Sequence, residues 1–117
     1  MNKYILVAIV IVVLLLIFNR FRSAVSADAN KVKEKIQQGA LVVDVRSPAE
    51  FKSGHYPGAI NIPVDEVSKR IGEFGAKEKP IIVYCASGGR SGSAKSFLES
   101  MGFKDVMNAG GLSNMPK

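Results

Sequence analysis

The stretch PIIVYCASGGRSGSA (residues 80–94) joins a continuous apolar run to a loop rich in glycine and serine. A run without polar interruption is typical of a central parallel strand that is covered on both faces. The loop follows the carboxyl end of this strand, where open α/β sheets bind ligands. The stretch therefore predicts a strand, a ligand-binding loop and a helix, in that order.

The rest of the chain after the N-terminal segment alternates short apolar runs with amphipathic segments, which indicates a parallel α/β domain. Ser26 or Asp28 is the predicted N-cap of the first helix of this domain, and Gly39 ends that helix. Strands are predicted over residues 40–45, 59–62, 80–85 and 105–108, and helices over residues 29–38, 48–52, 64–71 and 91–101.

Cys85 is the single cysteine of the chain and lies at the end of the apolar run. Because free cysteine is among the most buried residue types, one interpretation is a structural thiol at a strand end. The loop favours a second interpretation, since its backbone amides and the start of the next helix can converge on one point. Gly88 and Gly89 permit the positive φ angles of such a nest. A thiolate placed there beside Arg90 would be reactive at neutral pH.

His55 is the only histidine and lies in the turn-like sequence GHYPG. A Cys–His pair is one way to activate a thiol, but a histidine beside Pro and Gly more often fixes the geometry of a turn. His55 is therefore predicted to be structural, with a hydrogen bond to the backbone. One cysteine and one histidine do not make a metal-ligand cluster, so no metal site is predicted, and no cofactor is expected.

The net charge of +6 does not indicate nucleic-acid binding. Lys3, Arg20 and Arg22 supply three of the 16 basic residues, and the remaining 13 are interspersed with 10 acidic residues. No basic run with interleaved aromatic residues is present, as a nucleic-acid surface would need. We therefore expect a solvated charged surface and no nucleic-acid partner.

Residues 4–18, from Tyr4 to Phe18, form an apolar run of 15 residues without charge. As a helix this run would span about 22 Å, against a hydrocarbon core of about 30 Å. Small residues further along would suit signal-peptide cleavage, whereas Arg20 and Arg22 directly after the run favour a retained anchor. The prediction is one N-terminal transmembrane helix in an anchor segment of residues 1–22, with a signal peptide as the alternative.

The distribution of basic residues around the apolar run gives an orientation. Lys3 precedes the run, and five Lys and Arg residues follow it within residues 20–35. Basic residues favour the cytoplasmic side of a membrane. The sequence therefore predicts a single-pass protein of the inner membrane whose catalytic domain, residues 23–117, faces the cytoplasm, where a lone cysteine stays reduced.

Four motifs resemble the single-domain rhodanese family of sulfurtransferases and occur in the family's order. They are DVR (residues 44–46), EFKSGHYPGAINIP (residues 50–63), CASGGRS (residues 85–91) and NAGGL (residues 108–112). Together they extend over almost the whole chain after the N-terminal segment. The resemblance implies a three-layer rhodanese-like α/β fold with a five-stranded parallel sheet flanked by helices, and its first edge strand is assigned to residues 24–26.

The resemblance also implies a thiosulfate-type sulfurtransferase whose cysteine carries sulfur as a persulfide from a small sulfane donor to a thiol or to cyanide. Cys85 matches the family's nucleophile, and Arg90 is expected to face the anionic part of the donor. The residues that match the substrate-binding loop are Ala86, Ser87, Gly88, Gly89, Arg90 and Ser91. Ser91 either donates a hydrogen bond to the thiolate or caps the helix.

Asp44 and Arg46 are supporting candidates, because the family places this pair near the active-site loop. A salt bridge at the end of a strand is an equally good interpretation of the pair. A similar single-domain rhodanese is exported with a cleaved signal peptide. A periplasmic location is therefore the alternative to the cytoplasmic one.

Two other functions remain open on the same loop: a phosphatase or arsenate-handling enzyme, and a noncatalytic binding module. Four residues separate Cys85 from Arg90, one fewer than in tyrosine phosphatases. A tighter ring of amides suits a single sulfur better than a tetrahedral phosphate. The presence of both Cys85 and Arg90 disfavours a binding module, which would tolerate their loss.

Overall fold

The computed structural model describes residues 2–24 and 26–117, except for the side chains of residues 19–24. The helices are α1 (Lys3–Ala24), α2 (Ala29–Gln37), α3 (Pro48–Lys52) and α4 (Gly89–Ser100). The strands are β1 (Leu41–Asp44), β2 (Ile60–Asn61), β3 (Ile81–Cys85) and β4 (Val106–Gly111). Short 3₁₀ helices cover Val64–Glu66, Ile71–Phe74 and Leu112–Asn114.

The described strands form one parallel sheet in the order β2-β1-β3-β4. Successive side chains of a strand point to opposite faces, and β3 is buried on both. Val83 and Cys85 pack with α4 in one apolar cluster, whereas Ile82 and Tyr84 pack with α2 in the other. The sheet therefore lies between two helical layers, and Cys85 lies on the face that α4 covers.

The predicted α/β class is confirmed, but the prediction of five strands was wrong. Among residues 2–24 and 26–117 the sheet has four strands. The additional strand was predicted over residues 24–26, where Ala24 instead ends α1 and Val25 lies outside the described residues. The backbone N–H of Ala27 donates to the carbonyl oxygen of Asn108 at 2.7 Å, so Ala27 contacts β4 although residues 26–28 form no strand.

The continuous helix predicted over residues 64–71 was also wrong. Two 3₁₀ helices, Val64–Glu66 and Ile71–Phe74, take its place. Three β-branched residues, Val64, Val67 and Ile71, lower the intrinsic helix propensity of this segment. Its partly buried side chains pack against the α4 face of the sheet, so tertiary contacts rather than a regular helix hold it.

The apolar run of residues 4–18 lies within α1, yet the structure does not support a membrane anchor. Within the described part of the chain, no helix combines the length and the apolar character needed to cross a bilayer. The predicted transmembrane helix and inner-membrane location are therefore wrong, and the expected membrane partner is not supported. The side chains of Arg20 and Arg22, which carried the predicted orientation, lie outside the described residues. The boundary between residues 22 and 23 stays a prediction.

A buried ion pair closes the carboxyl end of β1. The Nη2 atom of Arg46 lies 2.7 Å from Oδ2 of Asp44, and the side chains of these residues are almost inaccessible to solvent. The backbone N–H of Arg46 also donates to Asp44 Oδ1 at 2.8 Å, and Nη2 donates to the carbonyl oxygen of Gly54 at 2.7 Å. Asp44 and Arg46 thus tie the end of β1 to the turn that precedes β2.

We expect Arg46→Ala to destabilise the fold by about 3–5 kcal/mol, because it leaves the Asp44 carboxylate buried without its partner. Urea unfolding measures the loss. Arg70→Ala is the matched control, since Arg70 forms a bidentate pair with Glu73 at the surface, and an exposed pair contributes only about 0–1 kcal/mol. Equal losses in the two variants would contradict a structural role for the buried pair.

Candidate active site

Cys85 is the last residue of β3, and a tight turn connects it to the start of α4. Cys85 is 1% exposed. Gly88 is the N-cap of α4 and has a φ of 103°, in the left-handed region that favours glycine. This conformation turns the chain back so that the backbone N–H of Gly88 donates to Cys85 Sγ at 2.9 Å. The predicted nest of amides is thus centred on the sulfur.

Two opposing influences set the pKa of Cys85. Burial is the larger single influence and raises the pKa, because it disfavours the thiolate. The Ser91 hydroxyl and the backbone amides of Ser91, Ser87 and Gly88 act in the other direction, and together they bring the pKa below its ordinary value. The loop therefore raises the fraction of thiolate at neutral pH above that of an ordinary cysteine.

The Ser91 hydroxyl has one proton and two acceptors within reach. Its Oγ lies 2.7 Å from Asn108 Oδ1 and 3.3 Å from Cys85 Sγ. While the thiol is neutral, S–H can donate to Ser91 Oγ and the hydroxyl can donate to Asn108. When the thiol ionises, the hydroxyl can rotate to the sulfur, since Asn108 Oδ1 still accepts from the N–H of Gly110 at 2.9 Å. Ser91 is thus within hydrogen-bond distance of the sulfur, in addition to its position in the first turn of α4.

Asn108 of β4 connects the loop to the sheet. It is 1% exposed, and its Nδ2 donates to the carbonyl oxygen of Gly88 at 3.1 Å. The same side chain accepts from Ser91 and Gly110. Asn108 was predicted only as part of a motif, because nothing in its local sequence indicates that its amide bonds to a loop twenty residues earlier.

The two glycines after Asn108 let β4 approach the loop closely. A Cβ atom at Gly111 would collide with the carbonyl oxygen of Ala86, although the φ of Gly111 is an ordinary −93°. Gly110 has a φ of +89° and lies against Ser26. Position 111 requires glycine because the Ala86 carbonyl lies too close for a Cβ atom. Position 110 favours glycine because of its positive φ as well as its contact with Ser26.

Arg90 is held by Glu50 of α3. Its Nη1 and Nη2 donate to the two carboxylate oxygens of Glu50 at 2.7 and 3.0 Å. The hydrogen bonds from Arg90 and from the backbone of Ser47 lower the pKa of Glu50 to about 2. Glu50 was named only as the first residue of a sequence motif and not as a site residue, although the pattern Ser47-x-x-Glu50 at the start of α3 is a capping box that marks it as an ordered carboxylate.

A cavity of about 220 Å³ opens beside Arg90, between the start of α3 and the 3₁₀ helix Val64–Glu66. Its walls are apolar at Val45, Pro63 and Val64 and polar at Ser47, and its lining includes the acidic residues Asp65 and Glu66. The cavity gives a small molecule a place next to the loop.

The structure places the predicted residues in two groups. Around the sulfur lie Gly88 and Ser91, which are buried, and the exposed residues Ala86, Ser87 and Gly89 of the same turn. Asp44 and Arg46 bond to each other and to the turn at Gly54 instead. His55 has the expected backbone contact, with Nδ1 2.9 Å from the carbonyl oxygen of Phe51, and its ring stacks on Phe51.

The family model described as "Rhodanese-like domain" matches residues 28–115 of this chain. The chain belongs to this family. It is 46% identical over 78 residues to the thiosulfate sulfurtransferase PspE of Escherichia coli K12, with 64% of this chain and 75% of that protein covered. It is 37% identical over 75 residues to the thiosulfate sulfurtransferase GlpE of Pseudomonas syringae, with 64% and 70% covered.

A solved structure agrees with these similarities. A rhodanese with anions from E. coli superposes with a TM-score of 0.62 at 44% sequence identity, covering 66% of this chain and 94% of that one. The rhodanese resemblance of the four sequence motifs is therefore confirmed for residues 28–115, which include the loop after Cys85 and strand β4.

Gly111→Ala tests the close packing of β4 on the loop. We expect a loss of about 1–3 kcal/mol in the free energy of unfolding, because the added methyl group forces the carbonyl of Ala86 to move. Gly72→Ala is the control, since a Cβ there meets nothing within 4 Å and Gly72 has no positive φ. Thermal unfolding compares the two. A Gly111→Ala protein as stable as Gly72→Ala would contradict the packing.

Proposed function

We propose that this chain is a sulfurtransferase that carries sulfane sulfur as a persulfide on Cys85. The observation that supports this most is the sulfur itself, buried at a strand end yet bonded by the N–H of Gly88 at 2.9 Å and held at a lowered pKa. The sulfurtransferases among the relatives support the same reaction type.

In the first half-reaction, the thiolate of Cys85 attacks the outer sulfur of thiosulfate or a related donor. A new S–S bond forms to Sγ while the S–S bond within thiosulfate breaks, and the electron pair of that bond leaves with sulfite. The terminal sulfur of the persulfide carries the remaining charge. The backbone amides of residues 86–91 and the positive end of α4 are placed to stabilise it.

In the second half-reaction, a thiolate or cyanide attacks the terminal sulfur. The S–S bond to Cys85 breaks, its electron pair returns to Sγ, and the product is a new persulfide or thiocyanate. Thiosulfate as donor and cyanide as assay acceptor belong to this proposal, as does a small thiol acceptor. Arg90 and the adjacent cavity are the proposed contacts for the anionic donor.

The spacing of the loop disfavours a phosphatase or arsenate-handling function. Cys85 Sγ is already bonded by Gly88, three residues later, so the turn closes tightly around one atom. A tetrahedral anion needs a wider ring of amides. A noncatalytic binding module is disfavoured because such a role gives no reason to keep a buried thiol with a lowered pKa.

Incubation with thiosulfate should increase the mass of the intact protein by one sulfur atom. Cys85→Ser should remove the increase completely, because the chain has no second cysteine. Intact-mass spectrometry before and after added cyanide reads both half-reactions, since cyanide should restore the original mass. An unchanged mass after thiosulfate, with the thiol shown to be free beforehand, would contradict the proposal.

A further inference from the structure

The cation proposed to meet the donor is already bound to an anion of the chain. Arg90 and Glu50 form a bidentate pair with distances of 2.7 and 3.0 Å. This geometry uses two parallel N–H groups of the guanidinium, the same arrangement with which arginine binds oxyanions such as carboxylates. Glu50 therefore occupies the Nη1–Nη2 edge of Arg90, one of the edges with which a guanidinium can bind an anionic donor.

Glu50 is also fixed from its own side. Its Oε1 accepts from the backbone N–H of Ser47 at 3.2 Å and from the Ser47 hydroxyl at 3.0 Å. These bonds hold the carboxylate toward Arg90 before any ligand arrives. Solvent still reaches the pair, since the side chains of Arg90 and Glu50 are 38% and 36% exposed, so a ligand can compete for the guanidinium.

The charges around the cavity also disfavour the binding of an anion. Arg90 is the basic residue of the cavity lining, and Glu50 neutralises it. The other charged residues of the lining are Asp65 and Glu66, both acidic, and Glu66 has only a long contact of 3.8 Å with Arg70. With the Glu50 pair closed, the cavity is unfavourable for an anion.

We propose that Glu50 is a specificity-determining residue, whose carboxylate competes with anionic donors for Arg90 and so sets how tightly they bind. The proposal rests on the proposed function. It implies that a donor binding at the Nη1–Nη2 edge of the guanidinium displaces the carboxylate. Donors with less negative charge depend less on this displacement and are favoured relative to dianions.

Glu50→Gln is the direct test, because glutamine keeps the length of the side chain and can still serve in the capping box of α3. We expect the KM for thiosulfate to fall by about two- to fivefold, the range that a half-exposed ion pair can supply, with a smaller effect on kcat. Inhibition by sulfite should strengthen by a similar factor. Glu73→Gln is the matched control, since Glu73 forms the same bidentate contact with Arg70 at the surface.

A KM that is unchanged in Glu50→Gln, or that changes equally in Glu73→Gln, would overturn the proposal. A higher KM would also overturn it, because Glu50 would then position Arg90 for the donor. Calorimetric binding of sulfite separates this idea from the proposed function, since it requires no turnover. Tighter sulfite binding in Glu50→Gln without sulfur transfer in either protein would uphold the competition and reject the transferase.

Discussion

The structure depends on a set of backbone N–H groups that face one buried sulfur. The sulfur of Cys85 is almost removed from solvent, and an isolated thiol in that position would have a raised pKa. The Ser91 hydroxyl and the backbone amides of Ser91, Ser87 and Gly88 together reverse that effect on the pKa. Backbone donors need no rearrangement when the thiol loses its proton, so they stabilise the thiolate without a change in the loop.

The rest of the fold keeps those donors in place. β3 fixes Cys85 between two apolar layers, and β4 supports the loop from behind through Asn108 and the close approach at Gly111. The buried pair of Asp44 and Arg46 closes the neighbouring strand end. The polar side chains of Asn108, Asp44 and Arg46 thus stabilise the loop and the neighbouring strand end, whereas the contacts to the sulfur come from the main chain and Ser91.

The loop was predictable because its signals are local. A continuous apolar run, a cysteine, two glycines and a helical pattern follow each other without a gap, and the strand, turn and helix form where expected. The ion pair of Glu50 and Arg90 joins residues forty positions apart, and such a contact depends on where the fold places the first turns of α3 and α4. The amide of Asn108 was missed for the same reason.

The wrong predictions have physical causes as well. The edge strand at residues 24–26 was inferred from family resemblance and had no apolar run of its own. The helix over residues 64–71 contains β-branched residues that disfavour a regular α-helix. The anchor was predicted from flanking charges although its apolar run was shorter than a bilayer core requires.

Ultraviolet titration of the thiolate tests the central claim most directly. The absorbance of Cys85 is followed against pH, and the Cys85→Ser protein supplies the baseline that removes the tyrosine contribution. The account predicts a midpoint clearly below the ordinary cysteine value of 9.0 in the folded protein and a return toward it in urea. A folded-state midpoint at or above that value would mean that burial outweighs the amides, and would contradict the account.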